Sequence, residues 1–451
     1  MGPKITIIGG GSSMFVPTLL RRILVAPSLA GGTICLMDVD ASRLETMAAL
    51  GKALVKAEKA PFHVESTTSQ REALTGADFV IVAISVGGMA AWESDIEIPA
   101  KYGVFMQIAD SVGPAGMMRA FRNLPVIAGV TRDLADVSPD AWVFNYSNPA
   151  AACAMAMATT PSVKSVSLCS CTFLAASSMW MEHVTGIPAA EFVVPSVIGG
   201  INHCAGMVKL KLKDGRDALP IFREKSNDDF VRFAYDTYGV IPYCSNHWAE
   251  FYPQLQYLEE KYEGRAQGLL MKHGLRIYDM TKQRGRVQKW QDLAERWGRP
   301  ENAAEVSLAN LPPGDEDWGI EVIDVIQAIL ENRNQVFVVN TVNHGSQTNL
   351  PPDAVVELSA LVNAYGIHPL YVGEIPEAWA AHLRQHIATQ KLTVEAALSG
   401  DRHTALQAFI HDPLLAARLE PQQAAALLDE MLEANERFLP QFSGKRAAVR
   451  A

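Results

Sequence analysis

Residues 4–20, KITIIGGGSSMFVPTLL, decide how this chain is read. A short apolar strand carrying Ile5, Ile7 and Ile8 runs through Gly9, Gly10, Gly11, Ser12 and Ser13 into a helix with apolar residues at helical spacing. That order suits a phosphate site. Glycines let the loop turn tightly, and backbone N–H groups at the positive end of the helix can approach a pyrophosphate. Gly9, Gly11 and Ser12 are therefore the candidate cofactor cradle. The dinucleotide fingerprint Gly-x-Gly-x-x-Gly is incomplete, because Met14 stands at the third glycine, so the helix is expected to sit differently on its strand. A second strand, 32–37, ends in Asp38, whose carboxylate can accept from both ribose hydroxyls and would repel a phosphate there. This points to NAD rather than NADP; the plain alternative is an ordinary strand–turn–helix with an acidic loop residue.

Outward from this stretch the order is β-α-β-α, with a helix over 41–58 and a weak strand over 62–66. Residues 77–84 form a continuous apolar run, as in a strand buried on both faces of a parallel sheet. It ends at Ser85, and the carboxyl end of such a strand is where doubly wound sheets bind ligands, so Ser85 joins the cofactor candidates. Asp110 precedes a helix carrying Arg119 and Arg122, and strands over 142–144 and 163–168 deliver Asn148 and Cys169. Asn148, before Pro149, is held out of helical geometry, so its amide can either face a ligand or cap a turn. Beyond 187 the parallel alternation fades. Strands are expected over 192–200, 206–212 and 336–342, helices over 230–238, 248–262 and 320–330, a linker over 311–317, and a largely helical stretch over 352–438. The fold class is α/β: a Rossmann-type doubly wound parallel sheet in an NAD-binding domain, 1–186, followed by a mixed α+β domain, 187–451.

Lys and Arg number 39 against 49 Asp and Glu, a net charge of −10 without a basic block, which argues against nucleic acid or an anionic membrane as partner. A small molecule is the better default. The six cysteines are sparse and read as reduced thiols of a cytoplasmic protein, with no signal peptide expected before Lys4. Cys169 and Cys171 form a Cys-x-Cys, but no partner pair for a closed four-ligand zinc site is evident. Cys169 and His203 can instead supply two ligands to a divalent ion whose remaining positions go to substrate and water. The competing reading of His203 is a hydrogen-bonded core histidine, and His247 is a further candidate under the same alternative; Trp248 and Phe251 read as core.

Several stretches together resemble glycoside hydrolase family 4, the NAD- and manganese-dependent glycosidases: IGGGS at 8–12, IPAKYG at 98–103, DSVGP at 110–114, RAFRNLP at 119–125, NYSNP at 145–149, Cys169, GINH at 200–203, NLPPD at 349–353 and GIHPL at 366–370. They keep the family's order from residue 5 to about 376. The resemblance implies a lactate/malate dehydrogenase-like fold, NAD in the first domain, and manganese or another divalent metal on Cys169 and His203. It also implies an unusual reaction, in which NAD takes hydride from the third sugar carbon, a base removes the proton on the second, the aglycone is eliminated, water adds and the hydride returns. Such enzymes stand apart from two-carboxylate glycosidases. Asn148 and Asn202 match positions touching sugar hydroxyls or the metal region, and a homodimer or homotetramer is implied.

Three departures shape the site expected from this resemblance. The family's catalytic tyrosine aligns with Phe251, leaving Tyr252, His247 or a hydroxide on the metal as base. Ser170 stands where an Asp, Asn or His usually follows the metal cysteine, and a hydroxyl is a poor general acid, so leaving-group protonation is expected either to pass to another group, Asp110, or to be unimportant because the natural aglycone leaves easily. Trp92 stands where phosphosugar members carry an Arg, and its aromatic face suits an apolar sugar face rather than a phosphate dianion. The wording is closest to the α-galactosidase, α-glucosidase and α-glucuronidase branch, so the expected substrate is an unphosphorylated, α-linked hexoside. Two rivals remain. One is an NAD-dependent 2-hydroxy acid or sugar dehydrogenase using Arg119, Arg122 and His203; the other is a non-catalytic NAD-binding protein.

Overall fold

Apolar runs of four or five residues, closed by glycine or polar turns, build the centre of the molecule. A computed structural model describes residues 2–106, 108–253, 280–312 and 321–443. Strands β1 (Lys4–Ile8), β2 (Thr33–Met37), β3 (His63–Thr67), β4 (Phe79–Val82), β5 (Trp142–Asn145) and β6 (Lys164–Ser167) pair in parallel in the order β6-β5-β4-β1-β2-β3, the doubly wound arrangement. All four residues of β4 are buried, as a strand covered by helices on both faces requires. Two of the crossover helices show the local chemistry that starts them. Asp40 caps Ala41–Ala57 through the Arg43 amide, and Ser69 caps Gln70–Leu74 through that of Glu72.

The chain then leaves this sheet for a second, antiparallel one, β7 (Phe192–Ile201), β8 (Cys204–Leu212) and β9 (Ile241–Pro242). It returns with β10 (Gln335–Val342), β11 (Val355–Asn363) and β12 (Gly366–Pro369), which extend the first sheet antiparallel beyond β6. Here the structure corrects the expected helical stretch over 352–438. VVELSALVN is almost wholly buried, between β10 and β12 in the sheet and packed by β7 and the helix Glu321–Glu331. Its Ala, Leu and Glu carry helical propensity, but pairing and burial on both sides override it. The helices begin only at Glu377–Ser399. A second correction falls at 248–262: the helix there is Ser245–Glu250, ending with Phe251 as C-cap, and residues 254–262 lie outside the described residues, as does the expected linker from 313 on.

Candidate active site

The loops that follow the parallel strands at their carboxyl ends carry most of the residues singled out by the sequence. At the end of β1, Gly9 has φ 95°, and a Cβ there would fall 2.3 Å from the Ala83 carbonyl oxygen, so only glycine fits. The Gly9 and Gly10 N–H groups donate to Met37 O at 2.9 and 2.7 Å. Asp38 accepts from the Gly11 N–H at 2.9 Å and from the Asp40 N–H at 3.0 Å, one on each oxygen, which ties the first two βα loops together. Each oxygen keeps a lone pair for a ribose hydroxyl. Ser12 Oγ accepts from the Phe15 N–H at 3.2 Å, at the entrance to the helix Val16–Leu24. Ser85 is exposed at the end of β4, and its loop is pinned from behind. Val86 O accepts from Arg122 Nε at 3.0 Å, and the Val86 N–H donates to Asn123 Oδ1 at 3.0 Å.

Asp110 stands at the centre of the polar cluster. Its carboxylate accepts from Ser111 Oγ at 2.7 Å and from Asn148 Nδ2 at 2.8 Å, and lies 3.5 Å from His203 Nδ1, which also meets Ser111 Oγ at 2.5 Å. His203 is the tip of the β7–β8 hairpin with φ 66°, and Ala109, directly before Asp110, has φ 64°. Left-handed backbone at two non-glycine residues costs of order 1–3 kcal/mol each, the kind of strain that accumulates where side chains must be aimed. Gln347 holds the hairpin in place by accepting from the Gly200 N–H at 2.9 Å and donating to Gly200 O at 3.2 Å. Burial opposes ionisation of Asp110, but His203, His247 and Arg119 outweigh it and hold its carboxyl well below the usual range. A group so firmly ionised has no proton to give at neutral pH. That weighs against the expectation that Asp110 protonates the leaving group.

Cys169 leaves β6 and Ser170 opens the helix Ser170–Ala175. Cys171 lies beside both Cys169 and Cys244, and Cys244 Sγ lies 2.8 Å from His247 Nδ1. The rings of His203 and His247 pack at a 39° tilt with centroids 3.8 Å apart. A hydrogen bond from Cys171 is the main cause that holds the thiols of Cys169 and Cys244 well below their usual value. The fold brings Cys244 and His247 beside Cys171, so that the ligand atoms of these three residues lie within 4.8 Å of one another. The signal was present in the sequence as Cys244-Ser-Asn-His247, a Cys-x-x-His spacing.

Three buried carboxyls were not anticipated. Glu321 accepts from Ser170 Oγ at 3.1 Å on both oxygens, and burial pushes it up to about 7. Glu357, on β11, accepts from Thr172 Oγ1 and Asn340 Nδ2 at 3.0 Å and from Asn202 Nδ2 at 3.4 Å; burial pushes it, too, up to about 7. Glu250 accepts from the Ile108 N–H and, at 2.8 Å, the Ala109 N–H, and burial followed by the nearby Asp110 charge pushes it up to about 7. Single acids inside apolar runs, such as Glu357 in VVELSALV, were the only hint.

Two expected site residues take other roles. Tyr252 is fully buried, its ring stacked on His382 at 4.2 Å and packed on Trp248 at 5.8 Å, and burial raises its phenol far above the usual value. It is an aromatic core residue and unfit as base, which leaves His247 as the one proposed side-chain base that stands at the cluster. Trp92 donates its Nε1–H to Ile108 O at 2.8 Å and carries the Arg119 guanidinium over its ring at 4.7 Å, so its face engages a cation of the protein. Arg119 itself is buried, and no acceptor among the described residues reaches its Nε or Nη2. Arg122 is locked in a buried pair with Asp95 at 2.6 Å and cannot clamp a substrate carboxylate, which removes a part that the dehydrogenase rival needs.

Comparison with known proteins agrees with this architecture. The description "family 4 glycosyl hydrolase" matches residues 4–185, and that of the same family's C-terminal domain matches residues 198–415. The α-galactosidase of Bacillus subtilis (strain 168) is 30% identical over 453 residues, covering 97% of this chain and 99% of that protein. A 6-phospho-alpha-glucosidase from gut microorganisms, solved in complex with NAD and Mn2+, superposes with a TM-score of 0.78 at 24% identity, covering 98% of this chain and 100% of that one. A lactate dehydrogenase from a deep-sea metagenome library shares the fold with a TM-score of 0.50 at 11% identity, covering 88% of this chain and 99% of that one.

Proposed function

We propose, from the premise that this chain belongs to glycosyl hydrolase family 4, that it cleaves unphosphorylated α-linked hexosides using NAD and a divalent ion. The observation that carries the reading is the meeting of Asp110, Asn148 and His203 beside Cys169, in the same row of loops as the glycine turn of β1. The site fits both groups. The cradle at Gly9 and Gly11 is one that a Cβ would fill, and Cys169 with His203 offers a sulfur and an imidazole nitrogen to a borderline cation. NAD would lie along Gly9, Gly11 and Ser12 with Asp38 on its ribose and Ser85 near by; manganese or another divalent ion would sit between Cys169 and His203. When bound, the two supply a reversible hydride acceptor for the third sugar carbon and the Lewis acidity that loosens the proton on the second.

The chain's own residues do the rest. Asn148, fixed by Asp110, and Asn202, fixed by Glu357, present amides to sugar hydroxyls. Arg119, set against the charges of Asp110 and Asp95, keeps two donors for an oxygen-rich ligand. Protonation of the departing oxygen falls to Glu321 acting through the Ser170 hydroxyl: with Glu321 protonated, the 3.1 Å contact runs from its carboxyl O–H to Ser170 Oγ, and as the glycosidic C–O bond breaks Ser170 passes its own proton to the leaving oxygen and takes that of Glu321. The substrate class is supported by the α-galactosidase relative and by Trp92, which holds no phosphate-binding charge of its own. All six cysteines are free thiols and no helix among the described residues is long and apolar enough to cross a membrane; the reading assigns a cytoplasmic homodimer or homotetramer, and light scattering on the eluted enzyme reads the assembly.

The test is nitrophenol release from α- and β-galactosides, glucosides and glucuronides and from a 6-phosphoglucoside, with NAD and manganese each added or withheld, in ordinary and heavy water. Release from an unphosphorylated α-hexoside that requires both additions, with deuterium at the second carbon and no net NADH, is the expected result. Release indifferent to NAD sinks the redox route, and preference for the phosphosugar sinks the substrate class.

A further inference from the structure

Two short motifs, Cys169-x-Cys171 at the start of one helix and Cys244-x-x-His247 at the start of another, are brought face to face by the fold. The ligand atoms of Cys171, Cys244 and His247 all lie within 4.8 Å of one another. A zinc-class ion, with metal–sulfur bonds of about 2.3 Å and metal–nitrogen bonds of about 2.0 Å, sets tetrahedral ligand atoms roughly 3.5–3.8 Å apart. The three side chains therefore need only sub-ångström to ångström adjustments to close on one. None of these thiols is in a disulfide.

We propose that Cys171, Cys244 and His247 form a second metal site, selective for a thiophilic divalent ion such as Zn2+, beside the Cys169–His203 pair. Two thiolates and an imidazole make a soft donor set. Manganese prefers carboxylate, carbonyl and water oxygens, so a site with two thiolates favours zinc over manganese. His247 Nδ1, at 2.8 Å from Cys244 Sγ, is the nitrogen that ligates. On this assignment His247 is a ligand rather than a base, and its ring, packed against that of His203, fixes the hairpin tip of the active site. The site stands on the geometry of these three residues and does not depend on which glycoside the enzyme cleaves.

The test is a Co2+ titration of the full-length, metal-free, reduced protein, followed by absorption under anaerobic conditions. A near-ultraviolet thiolate-to-cobalt band with the visible bands of tetrahedral cobalt is expected. The band should weaken in both Cys171→Ser and Cys244→Ser, and Zn2+, but not Mn2+, should abolish it. Should either variant fail to fold by circular dichroism, alkylation of the unmodified protein read by peptide mass gives the same answer: Zn2+ should slow iodoacetamide labelling of Cys171 and Cys244 by at least about tenfold and Mn2+ should not. A thiolate band untouched by either substitution but lost in Cys169→Ser would place the only thiophilic ion on the Cys169–His203 pair and overturn the proposal. So would labelling equally fast with and without Zn2+, or a Cys171–Cys244 disulfide revealed by thiol counts before and after reduction.

Discussion

Ser170 carries a hydroxyl whose pKa is far too high to donate freely at neutral pH, and Glu321 is what makes that hydroxyl useful. Buried, and pushed up to about 7, Glu321 is a proton reservoir in contact with Ser170 through 3.1 Å bonds. Glu321→Gln keeps the shape and removes the proton. It should lower kcat by about 10²-fold on a phenyl glycoside, whose leaving oxygen needs protonation, and by only a few-fold on a dinitrophenyl glycoside, whose leaving oxygen does not. Equal losses on both would show that Glu321 holds structure and not a proton. The sequence exposed the question, since Ser170 breaks the family's pattern, but not the answer, because Glu321 is 151 residues away and only the fold joins them. The same limit applies to Tyr252. Its position next to Phe251 made it a base on paper, whereas the helix that ends at Glu250 turns its ring into the aromatic core.

At the scale of elements, two devices hold the cofactor loops, and each can be broken separately. Gly11 packs so closely that a Cβ would meet Arg43 Cβ at 2.9 Å and Asp38 Oδ2 at 3.0 Å. Gly11→Ala should therefore push Asp38 off the Gly11 N–H and weaken NAD binding by about tenfold or more, a loss of about 1.4 kcal/mol, with little effect on the melting temperature. Fluorescence titration of NAD checks it, and unchanged affinity would mean that Asp38 does not serve the cofactor. Arg122 is different, because it joins the loop after β4 to Asp95 at 2.6 Å and to Asn435 at 2.9 Å inside the protein. Removing one partner of a buried pair leaves an uncompensated charge, so Arg122→Leu should destabilise by about 3–5 kcal/mol, read as a fall in the urea midpoint. The parallel half of the sheet was legible because buried strands between glycine turns leave a strong local pattern. The strand β11 was not, because its Glu, Leu and Ala carry helical propensity and its strand state comes from pairing with β10 and β12.

Across the whole molecule, the buried carboxyls and imidazoles set opposite pH slopes, and the balance can be dissected. Glu250, Glu321 and Glu357 all stand at about 7 in the folded protein against an ordinary 4.5, in each case mainly through burial. Below pH 4.5 both folded and unfolded chains hold these protons, so the groups contribute nothing. Between 4.5 and about 7 the unfolded chain has lost its protons and the folded one has not, so stability falls as pH rises; above about 7 the penalty is constant, on the order of 3 kcal/mol per group. His382 and His386 run the other way. Burial lowers them to about 4 and about 3 from 6.5, so their contribution is present above 6.5 and is lost as pH falls through that window. The net curve of the natural protein is thus a difference of opposed slopes and identifies no single group. Glu250→Gln isolates one, because the amide oxygen can still accept from the Ile108 and Ala109 N–H groups while the titrating proton is gone. Measured by urea unfolding on metal-free protein, the variant should match the natural chain near pH 4.5 and exceed it by a margin that grows up to about pH 7 and then stays level. A constant difference across that range would mean that Glu250 is not protonated in the folded state, and that the loop carrying Asp110 rests on a carboxylate.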